Sequence, residues 1–311
     1  ASRSAAASSA LDAQRQPSAL VVGGTGFIGK RLVRELLGRG HRVRVLTRSV
    51  NAAAAELAGL DVELVQGSHG EKAAVARALQ GIGVVYHLAK ASGERWEDYV
   101  QNDIGPTRVL AEAALDARVG RFVYTGTIDS YASADVRATI DSDTPLDGRI
   151  AERNLYARSK AACEDLLLRL HRERGLPVVI VRPGIVIGEG APPAHWGVGM
   201  FHSEAKVETW GDGRNPLPFV LVADVARALV LAGEKPGIEG QSFLVTDDPL
   251  LSASDYLAEV QKRARTRLDI RSTSTFRHFV RDLGKQALKQ AIRHPNRRRA
   301  SQHDWACRSH R

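Results

Sequence analysis

The sequence predicts an α/β fold: a doubly wound parallel sheet of the Rossmann type, with a smaller C-terminal substrate-binding part. Three observations lead there. Short β-rich runs alternate with helical patterns from residue 18 onward, the pattern of a parallel sheet covered by helices on both faces. A glycine-rich turn, Gly23-Gly24-Thr25-Gly26-Phe27-Ile28-Gly29, stands directly between an apolar run and a helical pattern. Far downstream, Tyr156 and Lys160 lie four residues apart on a long predicted helix.

Taken in order, residues 19–22 read as a short buried strand. Residues 27–37 read as a helix stopped by Gly38 and Gly40. Residues 42–47 alternate Val43, Val45 and Thr47 against Arg42, Arg44 and Leu46, a strand pattern. A helix over 51–58, a strand over 62–65, a helix over 73–79 and a strand over 83–88 follow. A long helical stretch over 96–117 contains Pro106, which is expected to bend it. Residues 122–125 form the next strand, 154–174 a long helix and 178–181 a further strand before Pro183. The alternation then stops. Residues 184–221 are rich in Gly and Pro and read as an irregular insertion. A helix over 223–232, with Asp224 as its N-cap, and a strand over 243–245 rejoin the sheet. Ser252 is expected to cap a helix over 252–264, and 277–293 closes the pattern as an amphipathic helix.

The organisation expected is therefore a dinucleotide-binding domain over 18–183, rejoined by 222–248, and a substrate-binding part from 184–221 and 249–292. Residues 1–17, Ala/Ser-rich without an apolar core, read as a disordered leader, and 293–311 as a basic tail. No apolar run approaches the roughly 20 residues that span a bilayer. Two cysteines, Cys163 and Cys307, suggest neither a disulfide framework nor a zinc site, and fit a cytoplasmic location. His69 and His87 show no metal-ligand spacing, so no metal is expected. The net charge of +9 is local: residues 271–311 hold eleven Lys/Arg against Asp282 and Asp304, leaving the rest of the chain neutral. A nucleic-acid protein spreads basic charge over a folded face with interleaved aromatics, so no specific nucleic-acid partner is expected. A solvated tail is favoured over contact with acidic membrane or polynucleotide.

The motifs point to chemistry on a dinucleotide. Gly23, Gly26 and Gly29 allow a tight turn and close backbone approach to a pyrophosphate, which meets the N–H groups of the following helix together with Thr25, Phe27 and Ile28. An acidic residue at the end of the second strand would favour NAD. This chain has Arg48 there, suited to a 2′-phosphate by bidentate contact, so NADP is preferred over NAD; the alternative is that Arg48 is an ordinary loop residue. Tyr156 and Lys160 project from one helix face. A nearby ammonium, together with the positive nicotinamide of an oxidised cofactor, is expected to lower the phenol pKa, fitting Tyr156 to proton transfer with a substrate hydroxyl. Lys160 would also hold the nicotinamide ribose, and Thr125 and Thr127 offer hydroxyls for the substrate oxygen.

With these motifs in place the chain resembles the extended short-chain dehydrogenase/reductases, the NAD-dependent epimerase/dehydratase group. The resemblance runs from about residue 18 to 265. It rests on the glycine turn, His87-Leu88-Ala89, Asn102, the 125–131 segment, Tyr156-x-x-x-Lys160, Arg182-Pro183-Gly184 and Val222-Ala223-Asp224-Val225-Ala226. It implies that Thr127 is the substrate-oxygen hydroxyl, that Ala89 and Lys90 lie against the nicotinamide ribose, and that Pro183 passes the nicotinamide. It also implies a homodimer through the helices around 96–117 and 154–174. Four departures stand out. Ser68 replaces an adenine-contacting Asp. Gly126 stands where a second small hydroxyl residue is common, and Lys90 where a small residue is usual. Leu217 occupies the place where nucleotide-sugar members carry Arg, with Arg214 a shifted substitute. His195 and Trp196 lie in the insertion, where Trp196 would stack on a carbohydrate or simply pack the loop.

The expected activity is NAD(P)-dependent oxidation, reduction or epimerisation at a hydroxyl or keto carbon of a small, sugar-like substrate, including nucleotide sugars. Two readings stay open beside it: an NADPH-dependent ketone or aldehyde reductase on a lipid or phenolic substrate, and a non-catalytic nucleotide-binding scaffold.

Overall fold

The computed structural model describes residues 18–131, 140–141 and 143–292; the leader expected at 1–17, the tail at 293–311 and Cys307 lie outside them. Seven parallel strands form the main sheet: β1 (Ser18–Val22), β2 (Arg42–Thr47), β3 (Val62–Gln66), β4 (Val84–His87), β5 (Arg121–Thr125), β6 (Val178–Pro183) and β12 (Ser242–Val245). Their spatial order is β3-β2-β1-β4-β5-β6-β12. The chain winds outward in one direction from β1 and then in the other from β4, which opens a crevice beyond the carboxyl ends of those two strands.

Side-chain alternation builds the layers. Leu20, Val85, Phe122, Tyr124 and Ile180 face one side, packed by α3 (Lys72–Ala78), α5 (Gly105–Asp116) and α6 (Leu155–Arg174) through Val75, Leu110, Leu166 and Leu167. Ala19, Val21, Val45, Val123 and Val179 face the other, covered by α1 (Phe27–Gly38) and α7 (Val222–Glu234) through Leu32, Leu36, Leu229 and Val230. Because both faces are covered, the strands read as continuous apolar runs. Each fully buried Leu contributes about 1.5–3 kcal/mol of burial free energy.

Four expectations change on inspection. The 96–117 stretch is not one bent helix: α4 (Trp96–Tyr99) passes through a π-helical turn, Val100–Ile104, into α5. Pro106 has no N–H to donate and its ring crowds the carbonyl four residues back; the wider turn relieves both conflicts. The 184–221 insertion is not irregular. It holds β7 (Ile185–Ile187), β8 (Gly199–Ser203), β9 (Lys206–Trp210), β10 (Pro216–Leu217) and β11 (Phe219–Leu221). Asp224 is not the N-cap of α7. That place falls to Leu221 with no side-chain cap, and Asp224 lies in the first turn, paired with Arg227 at 3.1 Å; an acid there still complements the helix dipole. Finally, β14 (Asp269–Thr273) pairs parallel with β9 and was not anticipated.

Beyond the main sheet, β11 pairs β7, β10 pairs β13 (Leu251–Ser252), and β14-β9-β8 form a small sheet. With α8 (Ala253–Ala264), capped by Ser252 as expected, these elements enclose a third apolar cluster around Val198, Val207, Leu217, Phe219 and Leu257. The chain ends its described course in α9 (Thr275–Ala291).

Candidate functional site

The crevice beyond β1 and β4 is part of a cleft of about 1550 Å³. The glycine turn forms its floor. Gly23 has φ of +91°, a left-handed conformation that side chains resist. A Cβ there would stand 2.9 Å from the Ala89 amide nitrogen, so the turn closes directly on the end of β4. A Cβ on Gly29 would collide with the Gly23 carbonyl, which locks α1 against the turn. At the start of α1, Gly26 offers no side-chain cap and the first turn holds no acidic residue. The orphan N–H groups of that helix end therefore face the cleft without an internal anion, the condition for holding a pyrophosphate. Thr25, Phe27 and Ile28 line the same end. These residues fit a dinucleotide.

Arg48 lies exposed in the cleft wall just past β2, and Ser49 caps α2 (Val50–Glu56) beside it, accepting from the Ala52 amide at 3.3 Å. Ser68 also lines the cleft, with its hydroxyl engaged by the Gly70 amide at 3.3 Å.

Asn154 caps α6 by accepting from the Ala157 amide at 2.8 Å, which sets Tyr156 in the first turn and Lys160 one turn on. Both reach the cleft, together with Ala89, Lys90, Thr125, Thr127 and Pro183. The Lys160 ammonium is buried and donates to the Thr125 carbonyl at 3.1 Å and the Ala89 carbonyl at 3.3 Å. Burial lowers its pKa; the charge of Asp103 is the largest influence opposing this. Burial pushes the Tyr156 phenol up to about 12, against the lowering effect of the neighbouring Thr127 side chain. Desolvation dominates the phenol, and Lys160 spends its charge on two carbonyls. Lys90 stands over the Tyr156 ring, 5.9 Å from its centroid. The Thr125 hydroxyl is buried in the wall with no partner among the described residues.

Behind the wall lies a buried ion pair that sequence reasoning missed. Arg182 donates to one Glu164 oxygen at 2.7 and 2.9 Å and to the Tyr131 hydroxyl at 3.0 Å. A Cβ on Gly126 would strike the Glu164 carboxylate and lie 3.1 Å from Arg182 Cγ. This explains the missing second hydroxyl: the ion pair leaves room only for glycine. Asp103 was also missed. The π turn buries it, and it accepts from the Ser159 hydroxyl at 2.5 Å. Only the phase of that turn signals it, and the proline obscured the phase.

At the far end, His195, Trp196, Ile185, Leu217 and Pro218 close the cleft. Trp196 meets Trp210 edge-on at 5.5 Å, and the Trp210 indole donates to the Trp196 carbonyl at 2.7 Å. Arg214 does not line the cleft. Its exposed turn is closed by an Asp212 carboxylate that accepts from the Arg214 amide at 3.1 Å.

Residues 19–245 match the NAD dependent epimerase/dehydratase family. The chain belongs to that family, and is an NAD(P)-dependent enzyme of the extended short-chain dehydrogenase/reductase type. It is 31% identical to sterol demethylase protein B of Methylococcus capsulatus, over 81% of this chain and 76% of that protein. It is 30% identical to 4-hydroxy-2-methyl-3-oxo-4-farnesyl-3,4-dihydroquinoline-1-oxide ketoreductase of Stigmatella aurantiaca, over 76% and 70%. Among solved structures, dTDP-glucose 4,6-dehydratase of Streptomyces venezuelae with NAD bound superimposes with a TM-score of 0.67 at 26% identity, over 83% of this chain and 84% of that one.

Proposed function

We propose that the protein is an NADPH-dependent reductase of a ketone or aldehyde on an apolar, lipid-like substrate, with residues 184–221 and 249–292 forming the substrate-binding part. The observation that carries this reading is the makeup of the far cleft end. Leu217 is buried there, and Arg48, Lys90 and Lys160 are the only cations in the cleft wall among the described residues. None of the three belongs to the substrate side. A nucleotide-sugar diphosphate would need a cation at that end; an apolar body gains from Ile185, Trp196 and Leu217. The relatives named for sterol and farnesylated-quinoline chemistry are in keeping with this.

The dinucleotide, when bound, supplies hydride to the carbonyl carbon. Tyr156 donates the proton to the carbonyl oxygen as it gains negative charge, and its raised pKa keeps the phenol protonated at neutral pH, as a donor requires. Thr127 aligns the phenol and Thr125 offers its free hydroxyl to the substrate. Lys160, fixed by two carbonyls, holds the ribose hydroxyls. Arg48 binds the 2′-phosphate and selects NADP over NAD. Reduced Cys163, buried in α6, accords with a cytoplasmic enzyme.

The test is a turnover assay with NADPH and two substrates, a steroid or long-chain ketone and a dTDP-4-keto sugar. Stoichiometric NADPH consumption with the former alone is the expected result. Turnover of the sugar, or a tightly held cofactor with no net consumption, would return the reading to an epimerase or dehydratase.

A further inference from the structure

Among the described side chains of helix α9, none belongs to an apolar cluster of the molecule. Phe276, Val280 and Leu283 are 62%, 50% and 48% exposed, and their i, i+4, i+7 spacing sets them on one side of the helix. Leu288 and Ile292 extend the exposed apolar surface through the last turn. Arg277, Arg281 and Lys285 run alongside at spacings of four, with Lys289 continuing the series in the sequence and Asp282 the one acid. The next residues add Arg293 and Arg297-Arg298-Arg299. The helix is about 25 Å long. Among the described residues, no helix is long and apolar enough to cross a membrane.

We propose that α9 docks the protein on an anionic lipid bilayer, lying in the interface with its apolar side among the acyl chains and its cations against the headgroups. Both halves of the surface are needed for this occupant. Exposed aliphatic residues gain free energy only from an apolar medium, and flanking Arg and Lys gain it from negative surface charge. A second copy of the chain supplies the apolar medium but brings the same row of cations against itself. A polynucleotide supplies the charge but gives Val280, Leu283, Leu288 and Ile292 nothing to bury against. An anionic bilayer supplies both. This docking does not depend on the substrate reading, because no described α9 side chain lines the cleft.

The experiment is vesicle flotation of the full chain with phosphatidylcholine alone and with phosphatidylserine added. Binding is expected only with phosphatidylserine and should weaken as salt rises. The triple variant Phe276→Ser/Val280→Ser/Leu283→Ser should lose about tenfold or more of its vesicle affinity. The variant Arg277→Glu/Lys285→Glu should lose the response to phosphatidylserine. Both should keep the wild-type melting temperature and dinucleotide affinity, since the substituted side chains are exposed. The proposal is overturned if the wild type ignores phosphatidylserine vesicles, or if the apolar variant floats as well as the wild type. It is equally overturned if the apolar variant instead dissolves a dimer seen by light scattering, or if RNA binds while vesicles do not.

Discussion

Tyr156 shows how far a single residue can be read. Its spacing from Lys160 was visible in the sequence because i and i+4 share a helix face. Its ionisation was not, because desolvation depends on what surrounds the phenol. Removing the hydroxyl in Tyr156→Phe should lower turnover about a hundredfold to ten-thousandfold while calorimetric NADPH affinity stays near wild type. Normal turnover in that variant would remove Tyr156 from the proton-transfer role. The place of Arg48 was equally legible, since the alternation of β2 fixes where that strand ends. Arg48→Ala should erase NADPH preference by about 10- to 100-fold, the worth of a charge-assisted contact; unchanged NADPH and NADH affinities would make Arg48 incidental. The Glu164–Arg182 pair was illegible, being formed by residues 18 apart that meet only when α6 packs on β6. Glu164→Gln strands a buried guanidinium without its counter-charge. Urea unfolding should show a loss of about 3–5 kcal/mol, and a loss within error of zero would mean water reaches Arg182.

At the scale of elements, periodicity revealed what was buried and missed what was not. The core strands and α1, α6 and α7 came close to their expected bounds because their apolar residues follow the fold's own periods. β14 escaped because four of its five residues are exposed, leaving no alternation to detect; its order comes from pairing with β9. The π turn escaped because a helical pattern does not say how a proline within it is accommodated. The close meeting of β1 and β4 sets His87 fully inside the sheet, its Nε2 2.8 Å from the Thr107 hydroxyl. Burial, then the nearby His69 and Lys160, hold its pKa well below the ordinary 6.5. The folded chain thus keeps His87 neutral while the unfolded chain takes up a proton below about pH 6.5. Its contribution to stability is present above that pH and is lost as pH falls toward the folded-state value, by about 1.4 kcal/mol per pH unit. In His87→Gln the fall in stability below about pH 6.5 should be shallower, as read from urea midpoints across that range. Parallel curves for the two proteins would show that His87 is protonated in the fold.

For the whole molecule, α5 and α6 lie side by side on one flank of the sheet, the helices through which the resemblance implies a homodimer; that expectation predicts twice the monomer mass in light scattering of the full chain, and a monomer at micromolar concentration would reject it. The sequence by itself determined the doubly wound sheet, the dinucleotide turn, the Tyr156/Lys160 pair and the Arg48 position. Each of these is written in local spacing: a period of two or 3.6, a glycine where the backbone must turn, a charge at a strand end. Only the tertiary structure decided that Leu217 faces the cleft while Arg214 does not, and that Gly126 makes room for a buried ion pair. It also decided that Asp103 is interior and that Phe276, Val280 and Leu283 of α9 are exposed. Those facts depend on which distant surfaces meet, and burial, desolvation and steric room exist only after they have met.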